Sequence, residues 1–269
     1  MFLRRAFLAG GAALFAAAVL KHSGEDANIA AVLWPPTFTR SWDPNWDRRE
    51  PRSLINLNDL RGSKEDLKSE LKKYKARARR HIFLVRHGQY NVAGESDPER
   101  VLTSLGREQA NLTGQRLANL GYTYNEMTYS TLQRAKETSE IIGQHLGNMK
   151  LTGSDLLREG APIRPDPESS DWKPDVVYFE DGPRIESAFR TFIHRADHEQ
   201  RDESYEIIVC HDNVIRYLVC RALQLPPEAW LRMDLNHGSI TELVIHHDGH
   251  VTLRMLGDAG YMPTSKLSC

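Results

Sequence analysis

The stretch HIFLVRHGQY, His81 to Tyr90, runs four apolar residues straight into Arg86, His87 and Gly88. A short apolar run of this kind reads as a buried strand, and its abrupt polar end marks the edge of a sheet. Outward from it the chain alternates strand and helix patterns. The spacing predicts a helix over 105–120, capped by Thr103 or Ser104 and stopped by Gly121, then a strand over 126–129 and a helix over 131–146. Residues 185–194 read as helix, 205–210 as an apolar strand and 213–223 as helix, and 240–246 and 251–255 close a hairpin across Asp248-Gly249. The class expected is therefore α/β: a three-layer α/β/α sandwich around a mostly parallel central sheet.

In open sheets of this class ligands bind beyond the carboxyl ends of the strands, so the residues just after each strand carry the chemistry. Arg86 and His87 come directly after the first strand. STLQRAKET places Arg134 on the first turn of a helix, and CHDNVIRY places His211 at a helix N-terminus. Two arginines and two histidines converging on one crevice suit a tetrahedral oxyanion, because a guanidinium forks onto phosphate and a helix N-terminus adds free N–H donors. Phosphate is the expected ligand. There is no Walker motif, kinase signature or GxGxxG opening a helix, so no nucleotide cradle is expected.

Composition narrows the partners. A formal net charge of -1 over 269 residues gives no basic field for nucleic acid. Cys210, Cys220 and Cys269 have no metal-ligand spacing and read as reduced thiols. His194 with His198, and His246 with His247 and His250, lack a third convergent ligand, so no metal is expected.

The N-terminus is a separate problem. Residues 1–24 carry Arg4 and Arg5, an apolar run from Ala6 to Leu20, then Lys21, with no acidic residue before Glu25. That pattern fits a cleaved signal of twin-arginine type, and it also fits, and is read here as, a short uncleaved mitochondrial anchor. Residues 25–62 carry Pro35, Pro36, Pro44 and Pro51 and read as a linker. Within it, Trp42, Asp43, Asn45, Trp46 and Asp47 form a compact motif around Pro44. Paired indoles of this kind either dock on another subunit or fold back onto their own domain. Residues 63–80 predict a basic helix with the stripe Leu67, Leu71, Tyr74 and Ala78 leading into a domain over 81–269.

Five motifs in order, LVRHG, LTSLGREQA, STLQRAKET, LREG and VCHDNVIRY, resemble the histidine phosphatase superfamily, also called phosphoglycerate mutase-like. WDPNWDRREP, LREGAPI, DWKPD, RIESAFR and CRALQLPPEAWLR resemble its mitochondrial serine/threonine protein phosphatase branch. The resemblance implies a phosphohistidine mechanism without cofactor or metal. His87 would be the nucleophile; Arg86, Arg134 and His211 would hold the phosphate oxygens; Glu159 of LREG would be the general acid. It further implies phosphoprotein substrates, a single-pass N-terminal anchor in a mitochondrial membrane, and activation by self-association through Trp42–Asp47. A scaffold that binds phosphate without turnover is the alternative. Gln89, Tyr90 and Ala93 depart from the metabolic mutases and speak against a sugar-phosphate mutase. Residues 159–182 are expected to form an irregular wall. Asp212 stands where relatives carry a small neutral residue; outward-turned, it would cap the following helix, and inward-turned it would repel phosphate.

Overall fold

The structure is a computed structural model that describes residues 41–55, 64–147, 149–169 and 173–269. The anchor expected over residues 1–24 lies outside them. Among the described residues, no helix is long and apolar enough to cross a membrane. The chain divides into Met1–Trp42 and a compact unit Asp43–Cys269, which begins inside the segment read as linker.

That unit is built on six strands: β1 (Arg80–Arg86), β2 (Glu126–Ser130), β3 (Lys150–Ser154), β4 (Ser204–Cys210), β5 (Ile240–Ile245) and β6 (Val251–Asp258). They lie in the order β3-β2-β4-β1-β5-β6. The first four are mutually parallel, whereas β5 runs antiparallel to β1 and β6 antiparallel to β5. Besides a single turn at Pro51–Leu54, the α-helices among the described residues are α1 (Lys64–Lys73), α2 (Ser104–Asn119), α3 (Gln133–Gly143), α4 (Asp175–Phe192) and α5 (Asp212–Ala222).

All seven residues of β1 are buried, which is why its sequence shows a continuous apolar run and no alternation. Register sorts its side chains. Phe83 pairs with Ile207 and Val85 with Val209, and these join Met127, Leu117 of α2, and Ala135 and Ile142 of α3 in one cluster. Ile82 and Leu84, also fully buried, face the other way, where α5 packs on β1 and α4 on α5. Each such side chain stabilises the fold by about 1.5–3 kcal/mol. Thr103 caps α2 by accepting the Gly106 N–H at 3.0 Å, and Gly121 lies just past the helix at φ +73°, both as expected.

Three elements differ from expectation. The basic helix stops at Lys73, because the sheet captures the chain a few residues later: Ser204 N–H donates to the Arg79 carbonyl at 3.1 Å, and Arg80 pairs with Glu206 at 2.8 Å. The wall over 159–182 is not irregular throughout, since α4 begins at Asp175 and continues through Gly182-Pro183. A Cβ at Gly182 would meet the Pro162 carbonyl oxygen at 2.7 Å, so this glycine serves close packing and is no helix stop. Strand β3 was not expected at all. It is a short edge strand with four of five residues exposed, and it offers no buried period to read.

Candidate active site

The parallel strands β1, β2 and β4 end on one edge of the sheet and deliver Arg86, Ser130 and His211 side by side. His87 is 2% exposed, and the loop beyond it is pressed onto the first turn of α2. A Cβ at Gly88 would stand 2.4 Å from the Gly106 oxygen, and one at Gly106 would stand 1.9 Å from the Gln89 oxygen, so both positions require glycine. Gly88 N–H donates to Thr138 Oγ1 at 3.1 Å, and Gln89 N–H to Gln109 Oε1 at 2.8 Å.

These contacts fix the chemistry of His87. Its Nδ1 donates to the Gly88 carbonyl at 2.8 Å, and Nε2 receives the Arg134 Nε–H at 3.2 Å. The ring is therefore neutral, with its Nε2 lone pair facing a guanidinium. Burial, then His211 and Arg134, hold its pKa well below the ordinary value. Arg134 is fixed by the Tyr90 ring, 4.6 Å from its guanidinium carbon, and by Asp97 at 4.0 Å.

His211, fully buried, caps α5. Its Nε2 lies 2.8 Å from Ser130 Oγ. With the Ser130 hydroxyl donating, Nδ1–H is directed into the crevice, and this nitrogen has no partner. Two further buried nitrogens have no partner: Nε of Arg86, and Nε2 of His237, whose ring centroid lies 5.5 Å from that of His87. Unpaired buried polar groups each cost about 1–3 kcal/mol, so three around one histidine mark where an oxyanion fits.

Glu159 arrives by way of β3 and a single turn, Asp155–Leu157. Helix α4 clamps that loop: Arg184 Nη2 donates to the Glu159 carbonyl at 3.1 Å, and Asp181 accepts the Ala161 N–H at 3.0 Å. The Glu159 carboxyl lies 4.0 Å from His211 Nδ1. A quarter of its side chain (25%) stays open to solvent and the rest is buried. That burial, with the neighbouring charge of Asp212, pushes its pKa up to about 8, so it carries a proton at neutral pH. A crevice of about 400 Å³ opens beside Arg134 and Glu159.

The description "Histidine phosphatase superfamily (branch 1)" matches residues 82–162 and 165–258. This chain belongs to the histidine phosphatase superfamily. It is 58% identical over 277 residues to the mitochondrial serine/threonine-protein phosphatase PGAM5 of Xenopus laevis, covering 100% of this chain and 99% of that one. To the protein of the same name from Homo sapiens it is 54% identical over 275 residues, covering 97% and 95%. Among solved structures it is similar to a phosphoglycerate mutase from Plasmodium falciparum at TM-score 0.51 and 31% identity, over 70% of this chain and 96% of that one.

In this histidine phosphatase Arg86, His87, Arg134, Glu159 and His211 lie together. Asp212 combines the two orientations that its sequence position left open. One oxygen does accept the Asn213 N–H at 3.0 Å, but the other faces Arg86 at 3.5 Å and Arg216 at 3.4 Å, inside the crevice. His237, Ser130 and Tyr90 were not foreseen as site residues. The signal for His237 was available, since NHGS immediately precedes β5, and an antiparallel strand starts at the edge where its parallel neighbours end. Among the described residues no group of three or more His, Cys, Asp or Glu is arranged to hold a metal ion.

The remaining candidates, Asp43, Asn45, Trp46 and Asp47, lie away from the crevice and dock on their own compact unit. The Trp46 indole N–H donates to the Gly249 carbonyl at 2.8 Å, and its ring lies 5.6 Å from Phe189. Asp47 pairs with Arg195 at 2.5 Å. Asp43 exchanges bonds with Gln224 at 2.8 and 2.9 Å, and Asn45 accepts the Glu50 N–H at 3.0 Å. Trp42 is the last residue of the preceding unit.

Proposed function

We propose that the protein is a mitochondrial serine/threonine protein phosphatase that works through a phosphohistidine on His87. The observation that carries this reading is a neutral histidine, its Nε2 accepting from Arg134, in a site with three unpaired buried nitrogens and a carboxyl that is protonated at neutral pH. The relatives named as mitochondrial serine/threonine-protein phosphatases, 54% and 58% identical, support the substrate class and the compartment.

In the first step Nε2 attacks phosphorus, a P–N bond forms and the P–O ester bond breaks. A serine or threonine alkoxide is a poor leaving group, so Glu159 gives it a proton. Arg86, Arg134 and the unpaired nitrogens of His211 and His237 hold the equatorial oxygens while charge redistributes. In the second step water attacks phosphorus and Glu159, now a carboxylate, takes its proton. The P–N bond breaks, and His87 returns neutral with inorganic phosphate released.

The same reading makes residues 1–24 a single-pass anchor in a mitochondrial membrane. It has Trp42–Asp47 join copies by making, between chains, the contacts that Trp46 and Asp47 make within one. The layout supports such an exchange: a short key at the border of the compact unit seats in a socket built from α4, Arg195 and the β5–β6 turn. The scaffold alternative needs the crevice but not turnover. A nucleophile held neutral and an acid held protonated favour the enzyme.

The decisive experiment treats the protein lacking residues 1–24 with a phosphoserine peptide and determines its mass. Phosphate on His87, absent in His87→Ala, is the expected outcome. Stoichiometric peptide binding with neither phosphohistidine nor phosphate release would leave only the scaffold.

A further inference from the structure

The phosphatase chemistry gives no role to the carboxylate that stands beside Arg86 and Arg216, that of Asp212. Asp212 opens α5 directly after His211, with its side chain 18% exposed. As the first residue of α5 it accepts the Asn213 N–H and gains from the helix dipole, but it does so by bringing negative charge to an anion site.

Asp212 touches both halves of the machinery. Its Oδ2 lies 3.5 Å from Nη2 of Arg86, while Nη1 of Arg86 is bound to the Leu235 carbonyl. Two of that guanidinium's three nitrogens are thus engaged by protein, and only Nε is left unpaired. The Asp212 carboxyl also neighbours that of Glu159, which lies 4.0 Å from the adjoining His211, and the negative charge of Asp212 raises the Glu159 pKa. Two neighbouring carboxyls share one proton, and their surroundings decide which of them holds it. On the Asp212 side stand Arg86 and Arg216, the latter also facing Asp234 at 3.5 Å, together with a neutral His237. On the Glu159 side stand Arg134 and His211, and the Asp181–Arg184 pair of α4 cancels itself. Arg86 and Arg216 outweigh burial and keep Asp212 ionised, so the proton resides on Glu159.

We propose that Asp212 is a positioning residue which keeps the acid proton on Glu159 and occupies the phosphate-facing edge of Arg86 until substrate arrives, so that one carboxylate sets both acid strength and phosphate affinity. The proposal rests on the phosphatase reading. It makes the site a weak binder of its own product, because inorganic phosphate must displace a carboxylate from Arg86.

Glu159 must be protonated to act, so kcat/KM for a phosphoserine peptide is full at low pH and is lost as pH rises through the Glu159 pKa, at about 8 in the native protein. Asp212→Asn keeps the size and the cap but removes the charge. It should move that alkaline limb down by about one pH unit or more and tighten inhibition by inorganic phosphate about tenfold or more. p-Nitrophenyl phosphate, whose leaving group needs no proton, should show the tighter phosphate inhibition without the moved limb. Asp212→Ala should behave alike, which excludes an effect special to the amide. If both variants keep the native limb and the native phosphate inhibition, Asp212 is only a cap. Calorimetric titration with inorganic phosphate tests the affinity half apart from turnover: unchanged affinity overturns the proposal even in a protein that hydrolyses nothing. Absence of phosphohistidine from the native protein sinks the phosphatase reading instead.

Discussion

Two of the molecule's buried aspartate–arginine pairs, Asp47–Arg195 and Asp212–Arg86, differ in how completely they are satisfied. Asp47 and Arg195 are joined at 2.5 Å with side chains 0% and 3% exposed, and Asp47 also accepts the Arg195 backbone N–H at 2.8 Å and the Arg49 N–H at 3.2 Å. Asp212 and Arg86 stand 3.5 Å apart, the carboxylate is divided between two arginines, and Arg86 keeps a buried nitrogen unpaired. A buried charge pair with its hydrogen bonds filled is a latch. One stretched and left short of partners is a place where a ligand can exchange in. Burial is common to the two pairs; what separates them is how completely their hydrogen bonding is filled.

The contrast breaks most directly at His87. His87→Ala should lower phosphate release from a phosphoserine peptide by about four orders of magnitude or more, with thermal unfolding close to native, because the side chain sits beyond the strand end. Residual turnover within tenfold of native would mean that the crevice is not the site.

The latch should give the opposite result. Asp47→Ala strands Arg195 and should destabilise the protein by about 3–5 kcal/mol, seen as a lowered Tm, while the folded fraction keeps a working crevice. Burial opposes ionisation of Asp47, but its bonds to Arg195 prevail and hold its pKa below the ordinary 3.8. Its contribution is therefore complete above about pH 4 and is lost as pH falls through the lower folded value. If copies exchange this segment, the same change and Trp46→Ala should also lower the mass in light scattering, and the native Tm should rise with protein concentration. A concentration-independent Tm and an unchanged mass would assign the segment to its own chain.

A smaller and more selective effect belongs to Glu159. Glu159→Gln should slow a phosphoserine peptide about a hundredfold and p-nitrophenyl phosphate less than about tenfold, since nitrophenolate leaves without a proton. Equal losses on the two substrates would remove Glu159 as the acid.

The legibility of these regions depends on where their information lies along the chain. Arg86, His87, Arg134 and His211 were legible because each sits next to an element with a clear apolar period, and chain direction in a parallel sheet sends every strand end to one edge. Glu159 was legible only through its LREG context, because the strand that delivers it is an exposed edge with no burial period. His237 was missed because it precedes a strand, and whether a strand starts or ends at the crevice depends on its antiparallel pairing with β1.

By itself, then, the sequence determined the alternation of strands and helices, the residues that meet at the parallel strand ends, and a choice of two fates for Trp46 and Asp47. All of these come from local periodicity and chain direction. Only the tertiary structure decided that Asp212 turns inward to Arg86 and Glu159, that α4 runs through Gly182-Pro183 to clamp the acid's loop, and that Asp47 finds Arg195, 148 residues away. Those outcomes depend on which distant charge or backbone atom stands opposite a side chain once the layers pack, and local spacing carries no record of that.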